Sequence, residues 1–398
     1  MNAPIQLPFD QQHPLEFPPQ VRALQTQGAV HEVRTEAGDR AWLVTSYALV
    51  RRLLADERLG RSHPAPERAA RVGESALFGG PQGDFETEQA DHARMRELLQ
   101  PHFSPKRMRE LRSRVEALAD ELLDGLAEKG PPADLHDALA LPLPILVICE
   151  LLGVPYEDRD LFRAWTQAAA DVTDRARSER GLADLFDYGR QLVARKRRDP
   201  GDDVISRLCA ADGMGDDEVA MLSMALLFAG HETTVVQIGM GALLLLTNRA
   251  QWRALLAEPG LVPGAVEEIL RMPVGGGGGG GIPRYARTEF DIDGVTVHAG
   301  DLVLLHPGAA NRDRAVFADP DSFDIARKPF GHLSFGHGPR YCVGAPLARI
   351  ELHAVFSRLL ARFPAMRLAV PLDQLELRRG SLAGGLVELP VTWREGAP

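Results

Sequence analysis

Apolar residues recur three and four positions apart over Ala93–Leu99, Pro105–Glu128, Leu143–Leu152 and Asp160–Arg198, the spacing that turns one face of an α-helix toward a core. The same periodicity predicts helices at Tyr47–Ala55, Pro263–Arg271 and Ala345–Phe363. Between Asp216 and Leu246 the apolar residues run nearly all round, so this helix is predicted to be buried along much of its length. Asp216, Asp217 and Glu218 fill its first turn, where the helix dipole favours acids. At 1.5 Å per residue it spans roughly 45 Å, enough to cross a domain. Strands are expected at Ala41–Thr45, Arg284–Arg287, Phe290–Ile292, Val295–Val297 and Leu302–Leu305, with Asp293-Gly294 as a turn, and at Leu375–Arg378 and Val387–Val391. Residues 1–35 are proline-rich and read as loop, and Asn311–Tyr341 reads as a long irregular stretch. The glycine and proline breaks are short, so the expected architecture is mainly α with small β-sheets (α+β) in one domain over residues 1–398.

The chain has 398 residues, of which 45% are apolar and 25% charged; that composition excludes a disordered or collagen-like chain. A net charge of -10 argues against a general nucleic-acid or anionic-membrane binder. No stretch is read as apolar enough to span a bilayer, and no basic segment leads into an apolar run at the N-terminus, so a cytoplasmic, monomeric protein is expected. Cys149, Cys209 and Cys342 are odd in number and far apart, which leaves no disulfide framework and no CxxC metal site.

Cys342 is the exception among them. It lies in Phe335-Gly336-His337-Gly338-Pro339-Arg340-Tyr341-Cys342-Val343-Gly344, immediately before a predicted helix, where outward-pointing backbone N–H groups stabilise a thiolate. A buried cysteine in an ordinary turn is the plain alternative. It leaves unexplained the glycines at 336, 338 and 344, which suit close backbone approach or a positive φ.

The spacing FxxGxxxCxG from Phe335 to Gly344 resembles the haem-binding loop of the cytochrome P450 family, whose cysteine thiolate is the proximal iron ligand. Three further segments resemble the family's motifs in the required order. Glu268-Ile269-Leu270-Arg271 matches its ExxR signature; alone it would be an ordinary helix pair. Asn311-Arg312-Asp313, Phe317, Asp319-Pro320 and Phe323 resemble the approach to the meander, a structural segment. Ala229-Gly230-His231-Glu232-Thr233-Thr234, midway along the long helix, resembles the oxygen-activation segment. Ala229 and Gly230 would leave space above the iron, and Thr233 and Glu232 would deliver protons; a core polar network is the alternative. His231 is expected to be a satisfied core residue.

His92 and Arg96 resemble the HxxxR pair that reaches the haem propionates, joined by Arg284 and Arg340. The resemblance therefore implies a monooxygenase carrying haem b, with Cys342 on the iron and Phe335, Gly336, Gly344, Ala229 and Gly230 around the cofactor. It inserts one oxygen atom from dioxygen into a bulky organic substrate, with electrons from NAD(P)H reaching it through a separate ferredoxin or flavodoxin and its reductase. Arg107, Arg109, Arg112, Arg114 and Arg349 would form a basic docking face for that partner, with an ordinary solvated helix face as the alternative. Seven consecutive glycines, Gly275–Gly281, would make the pocket roomy or adaptable, with a disordered or rebuilt segment as the alternative. With 41 arginines against 4 lysines, a bacterial secondary-metabolite tailoring enzyme, an antibiotic-biosynthesis enzyme among them, is expected. Oxidative ring or C–C coupling, a peroxide-using relative and a non-catalytic haem-binding protein are the alternatives.

Overall fold

The longest helix, Asp216–Thr247, is the axis about which the rest packs. Its first-turn acids pair across helices: Asp217 accepts two hydrogen bonds from Arg190, at 2.8 and 3.0 Å, and Asp216 accepts one from Arg197 at 2.7 Å. In the computed structural model, which describes residues 5–11, 13–272, 280–328 and 331–393, this helix lies against Pro142–Leu152, Arg175–Arg198, Val262–Arg271 and Ala345–Arg362. The approach is close because Gly241 has no side chain: a Cβ there would stand 2.6 Å from Phe356 and 2.8 Å from Ile269. Contrary to the expectation from sequence, this helix is long and apolar enough to cross a membrane; within the fold, 67% of its most apolar stretch is buried, as befits a core helix.

Most helices fall where the periodicity places them: Tyr47–Leu54, Pro105–Lys129, Pro142–Leu152, Val262–Arg271 and Ala345–Arg362. The helix bearing His92 begins earlier than read, at Glu88, and ends at Leu99. The run read as Asp160–Arg198 is two helices, Arg159–Ala169 and Arg175–Arg198. The carboxylate of Asp171 accepts the backbone N–H groups of Thr173 and Asp174, and Asp174 caps the second helix by accepting from Arg177 N–H. These acids turn the chain although the apolar period continues across the break.

The N-terminal segment read as loop carries a helix, Pro19–Gln27, and a strand, Val30–Arg34. Proline at the first helical position starts that helix, and only Val21 and Leu24 are buried, which leaves little periodicity to read. Val30–Arg34 joins a six-stranded sheet in the order Ile5–Gln6, Val30–Arg34, Arg40–Val44, Leu302–Leu305, Ile282–Ala286, Leu59–Gly60. Arg40–Val44 runs parallel to Leu302–Leu305, with Trp42 opposite Val303, and Ile282–Ala286 pairs antiparallel on the other side. Phe290–Ile292 and Val295–Val297 form the predicted hairpin. A small sheet joins Arg367–Leu368, Pro390–Thr392 and Ala133–Asp134. Leu375–Arg378 is not a strand and forms only the single bridge Leu377 to Leu386, because positive-φ glycines at 380, 384 and 385 curl the chain into a loop.

Candidate active site

Cys342 sits where the irregular segment meets the helix Ala345–Arg362. Its own N–H donates to the carbonyl of Phe335 at 2.9 Å, closing a loop in which Gly336 and Gly338 have φ of +75° and +73°. Gly338 also passes so close to Ala55 that a Cβ would meet it at 2.7 Å, so both conformation and space demand glycine. Phe335 braces the loop from within, 6.2 Å from the Tyr341 ring and with the Arg349 guanidinium 4.7 Å over its face. Burial pushes the Cys342 thiol pKa up, and the N–H groups of Gly344 and Ala345, with Arg96 and Arg349, pull it back toward the thiolate. The helix start is where the sequence places it, but burial outweighs it and the pKa of the thiol stays above its ordinary value.

The thiol opens into a cavity of about 280 Å³ whose walls include His92, Arg96, Arg284, Arg340 and, unforeseen from the sequence, Arg61. No carboxylate lines it among the described residues. Arg96 donates to the Tyr341 carbonyl at 2.8 Å, tying the His92 helix to the cysteine loop. Burial and the neighbouring Arg61 and Arg340 charges pull the Arg284 pKa down to about 9; burial and the Arg340 charge lower Arg61 to about 10. Burial and the surrounding arginines bring His92 to about 4, so its ring is neutral near pH 7. One acid stands behind the cluster: Glu88, 6% exposed, accepts from the N–H groups of Arg61 and Ser62 and from the Arg340 side chain. A cavity walled by four guanidiniums fits an anion, and a thiol beside them fits a soft metal. The set therefore suits an iron porphyrin with two carboxylates.

Above this cavity lies a second, of about 550 Å³, sharing the walls Phe78, Ile282 and Pro283. Gln237 of the central helix lines it, and Thr233 and Ala229 continue the same stripe one and two turns earlier, both exposed in an otherwise buried stretch. The Thr233 hydroxyl donates to the Ala229 carbonyl at 3.0 Å. Gly230 does not open this space: a Cβ there would stand 2.7 Å from Ile148, so its smallness serves helix packing. Glu232 turns off the stripe and is enclosed, 3% exposed, with Oε2 3.8 Å from Arg378. His231 is fully buried, yet neither ring nitrogen has a partner, contrary to the expectation of a satisfied residue. Gly275–Gly279 lie outside the described residues; Gly280 and Gly281 line the upper cavity.

Glu268 and Arg271 form a buried two-pronged ion pair at 2.7 and 2.8 Å. Arg271 also donates to the carbonyls of Asn311 and Pro320, while Glu268 accepts from Arg327 and from Asp324 N–H. The pair thus pins the irregular segment that leads to Cys342. Asn311 completes the path by accepting Leu333 N–H at 2.7 Å and donating to Ser334 at 2.9 Å.

The predicted docking face is thinner than its arginine count. Arg349 is held by both oxygens of Glu267, at 2.6 and 2.9 Å, Arg107 pairs with Glu110, and Arg114 pairs with Glu150. Arg109 and Arg112 are exposed and make no ion pair among the described residues.

A thiol at a helix start, a ring of guanidiniums and a hydroxyl-bearing central helix define a haem-thiolate type of site. Comparison with known proteins agrees. The cytochrome P450 family model matches residues 186–376. The chain is 48% identical to the pentalenolactone synthase of Streptomyces exfoliatus, covering 99% of this chain and all of that one. The solved structure of cytochrome P450 PimD, a polyene macrolide antibiotic pimaricin epoxidase, superposes with a TM-score of 0.88 at 41% identity, covering 99% and 100% of the two chains. That of cytochrome P450mel 107F1, with biaryl coupling reactivity, gives 0.86 at 38% identity over 98% and 100%. The chain belongs to the cytochrome P450 family and is a monooxygenase of that family.

Proposed function

We propose that the protein is a haem-thiolate monooxygenase that inserts one oxygen atom into a bulky natural product during bacterial secondary metabolism. The observation that carries this reading is the convergence of Cys342 and four arginines on one cavity, free of carboxylates among the described residues, beneath a second, larger one. Cys342 would hold the iron of haem b, and Arg61, His92, Arg96, Arg284 and Arg340 would hold its propionates. Haem, when bound, supplies dioxygen activation and oxygen-atom transfer. The chain's part is to position and to exclude. Gly344 and Ala345 N–H groups favour the thiolate, Ala229 leaves room beside the helix, and Thr233, on the same stripe as the cavity-lining Gln237, holds its hydroxyl proton on the Ala229 carbonyl. Glu232, one residue away, has its carboxyl pKa raised by burial against the charges of Arg378 and Arg163 and would supply the acid behind it.

The upper cavity, about 550 Å³ and walled largely by apolar side chains, has the volume of a natural-product site. The relatives' chemistry, a pentalenolactone synthase and a macrolide epoxidase, supports a tailoring role. Electrons from NAD(P)H would arrive through a separate ferredoxin or flavodoxin and its reductase, docking near Arg109 and Arg112, with the protein acting as a monomer in the cytoplasm. Oxidative coupling is the second reading, supported by the biaryl-coupling structural neighbour. The test is a carbon monoxide difference spectrum of the reduced protein, followed by spin-state screening of natural products. The red-shifted Soret band of a thiolate-ligated haem supports the reading, and its absence in the freshly purified wild-type protein overturns it. Product mass then separates the two reactions: a gain of one oxygen marks insertion, a loss of two hydrogens marks coupling.

A further inference from the structure

Behind the Thr233 stripe, three buried polar atoms have no protein partner: Nδ1 and Nε2 of His231 and Oε1 of Glu232. His231 Nδ1 and Glu232 Oε1 are 3.9 Å apart, beyond a direct hydrogen bond. Buried polar atoms left this way are costly unless water or a moving partner reaches them. Arg378 approaches from outside the helix, with one guanidinium nitrogen 3.8 Å from Glu232 Oε2 and the other 3.3 Å from His136 Nε2. Arg378 belongs to a loop closed by its own N–H donating to the Gly385 carbonyl at 2.8 Å, and Leu382 and Ala383 of that loop wall the upper cavity.

We propose that Arg378 is a positioning residue for Glu232: held between Glu232 and His136 by a loop that also walls the substrate cavity, it couples the filling of that cavity to whether Glu232 keeps its proton. The inference rests on the monooxygenase reading only for the use to which the proton is put. Burial raises the Glu232 pKa, and the charges of Arg378 and of Arg163 on the Arg159–Ala169 helix oppose it. His231, beside Glu232 on its own helix, is brought by burial to about 3 and is neutral. His136, on the far side of Arg378, is lowered by burial and by that arginine, so it too adds no positive charge near pH 7. A contact of 3.8 Å leaves Arg378 close enough to act on Glu232 through its charge, and any shift of the loop that carries it changes that distance.

The experiment follows the carbonyl stretch of protonated Glu232 by infrared difference spectroscopy across pH, with Glu232→Gln identifying the band. In Arg378→Gln the midpoint is expected to rise by about one unit, a tenfold gain in proton affinity, and in Arg378→Lys to stay near the wild-type value. Ala383→Trp, which crowds the cavity from the same loop, should shift the midpoint in the wild-type background and not in Arg378→Gln. An unchanged midpoint in Arg378→Gln overturns the proposal. So does a fall, because a merely structural role would loosen the site and let water reach the carboxyl. The titration is read on Glu232 itself and needs no turnover, so it holds or fails separately from the carbon monoxide spectrum.

Discussion

Arg61 sits with Arg284 and Arg340 around one small cavity, and among the described residues the carboxylate of Glu88, behind the cluster, opposes their charge. Crowded guanidiniums repel one another and are worth keeping only if an anion joins them. Charge-assisted hydrogen bonds contribute about 1.5–3 kcal/mol each. Arg61→Leu and Arg284→Leu should therefore each speed haem loss by roughly 10- to 100-fold, measured as transfer to an apo-globin acceptor. Cys342→Ser should abolish the thiolate-type carbon monoxide band while leaving the helical circular dichroism unchanged, since the loop is held by backbone bonds and by glycines at 336 and 338 and not by the sulfur. Arg61 escaped sequence reading because it stands alone between a short strand and a turn, with no periodic or motif partner. Cys342 was legible because its neighbours carry the conformational demands of the loop in their own identities.

The helix Val262–Arg271 lines neither cavity, and acts on the site by holding the chain that leads to Cys342. Glu268 and Arg271 hold the carbonyls and N–H groups of residues 311–324, and those hold the cysteine loop through Asn311 and Ser334. Both side chains are at most 3% exposed, and removing one partner of such a pair leaves an unpaired buried charge at a cost of about 3–5 kcal/mol. Glu268→Ala should lower the denaturant midpoint accordingly and reduce the yield of haem-containing protein. The same pairs make the protein acid-sensitive. Hydrogen bonds and the Arg271 charge lower the Glu268 pKa in spite of its burial, and those from His332 and Arg349 bring Glu267 to about 2. Depressed carboxyl values mean the unfolded chain binds protons first, so this stability is whole above about 4.5 and is lost as pH falls toward 2. Thermal unfolding followed between about pH 6 and about pH 3 should show the decline. At the crossing of the central helix, Gly241→Leu would drive a side chain into Phe356 and Ile269; overpacking there should cost about 1–3 kcal/mol, read from the same denaturant curves.

Across the whole molecule, the net charge of -10 hides a local exception. Arg109 and Arg112 lie one helical turn apart on Pro105–Lys129, exposed and unpaired among the described residues, while Arg107, Arg114 and Arg349 are engaged by carboxylates. A surface of two free arginines attracts an acidic partner over a Debye length of about 8 Å at physiological salt. Arg109→Glu with Arg112→Glu should slow reduction by an acidic ferredoxin about tenfold at low salt and flatten its dependence on ionic strength, measured by stopped-flow absorbance. Reversing Arg349 would not isolate docking, because it also releases Glu267 beside His332 and the cysteine loop.

What the sequence by itself determined is local in origin. The helix periods, the DG hairpin, the glycine-rich cysteine loop and the i,i+3 spacing of Glu268 and Arg271 depend on near neighbours, and the structure agrees with them apart from the break between Arg159–Ala169 and Arg175–Arg198 and the earlier start at Glu88. The order of motifs also pointed to the family before any contact was known. Tertiary structure alone decided the long-range matters. It placed Arg61 beside Arg284 across more than two hundred residues, turned Gly230 onto Ile148, bound most of the predicted docking arginines to acids and set Arg378 against Glu232. These follow from which faces meet when the core closes, and burial then changes what a residue can do. An arginine on a surface is solvated, but one enclosed with three others needs an anion, and burial raises the proton affinity of a glutamate even with an arginine beside it.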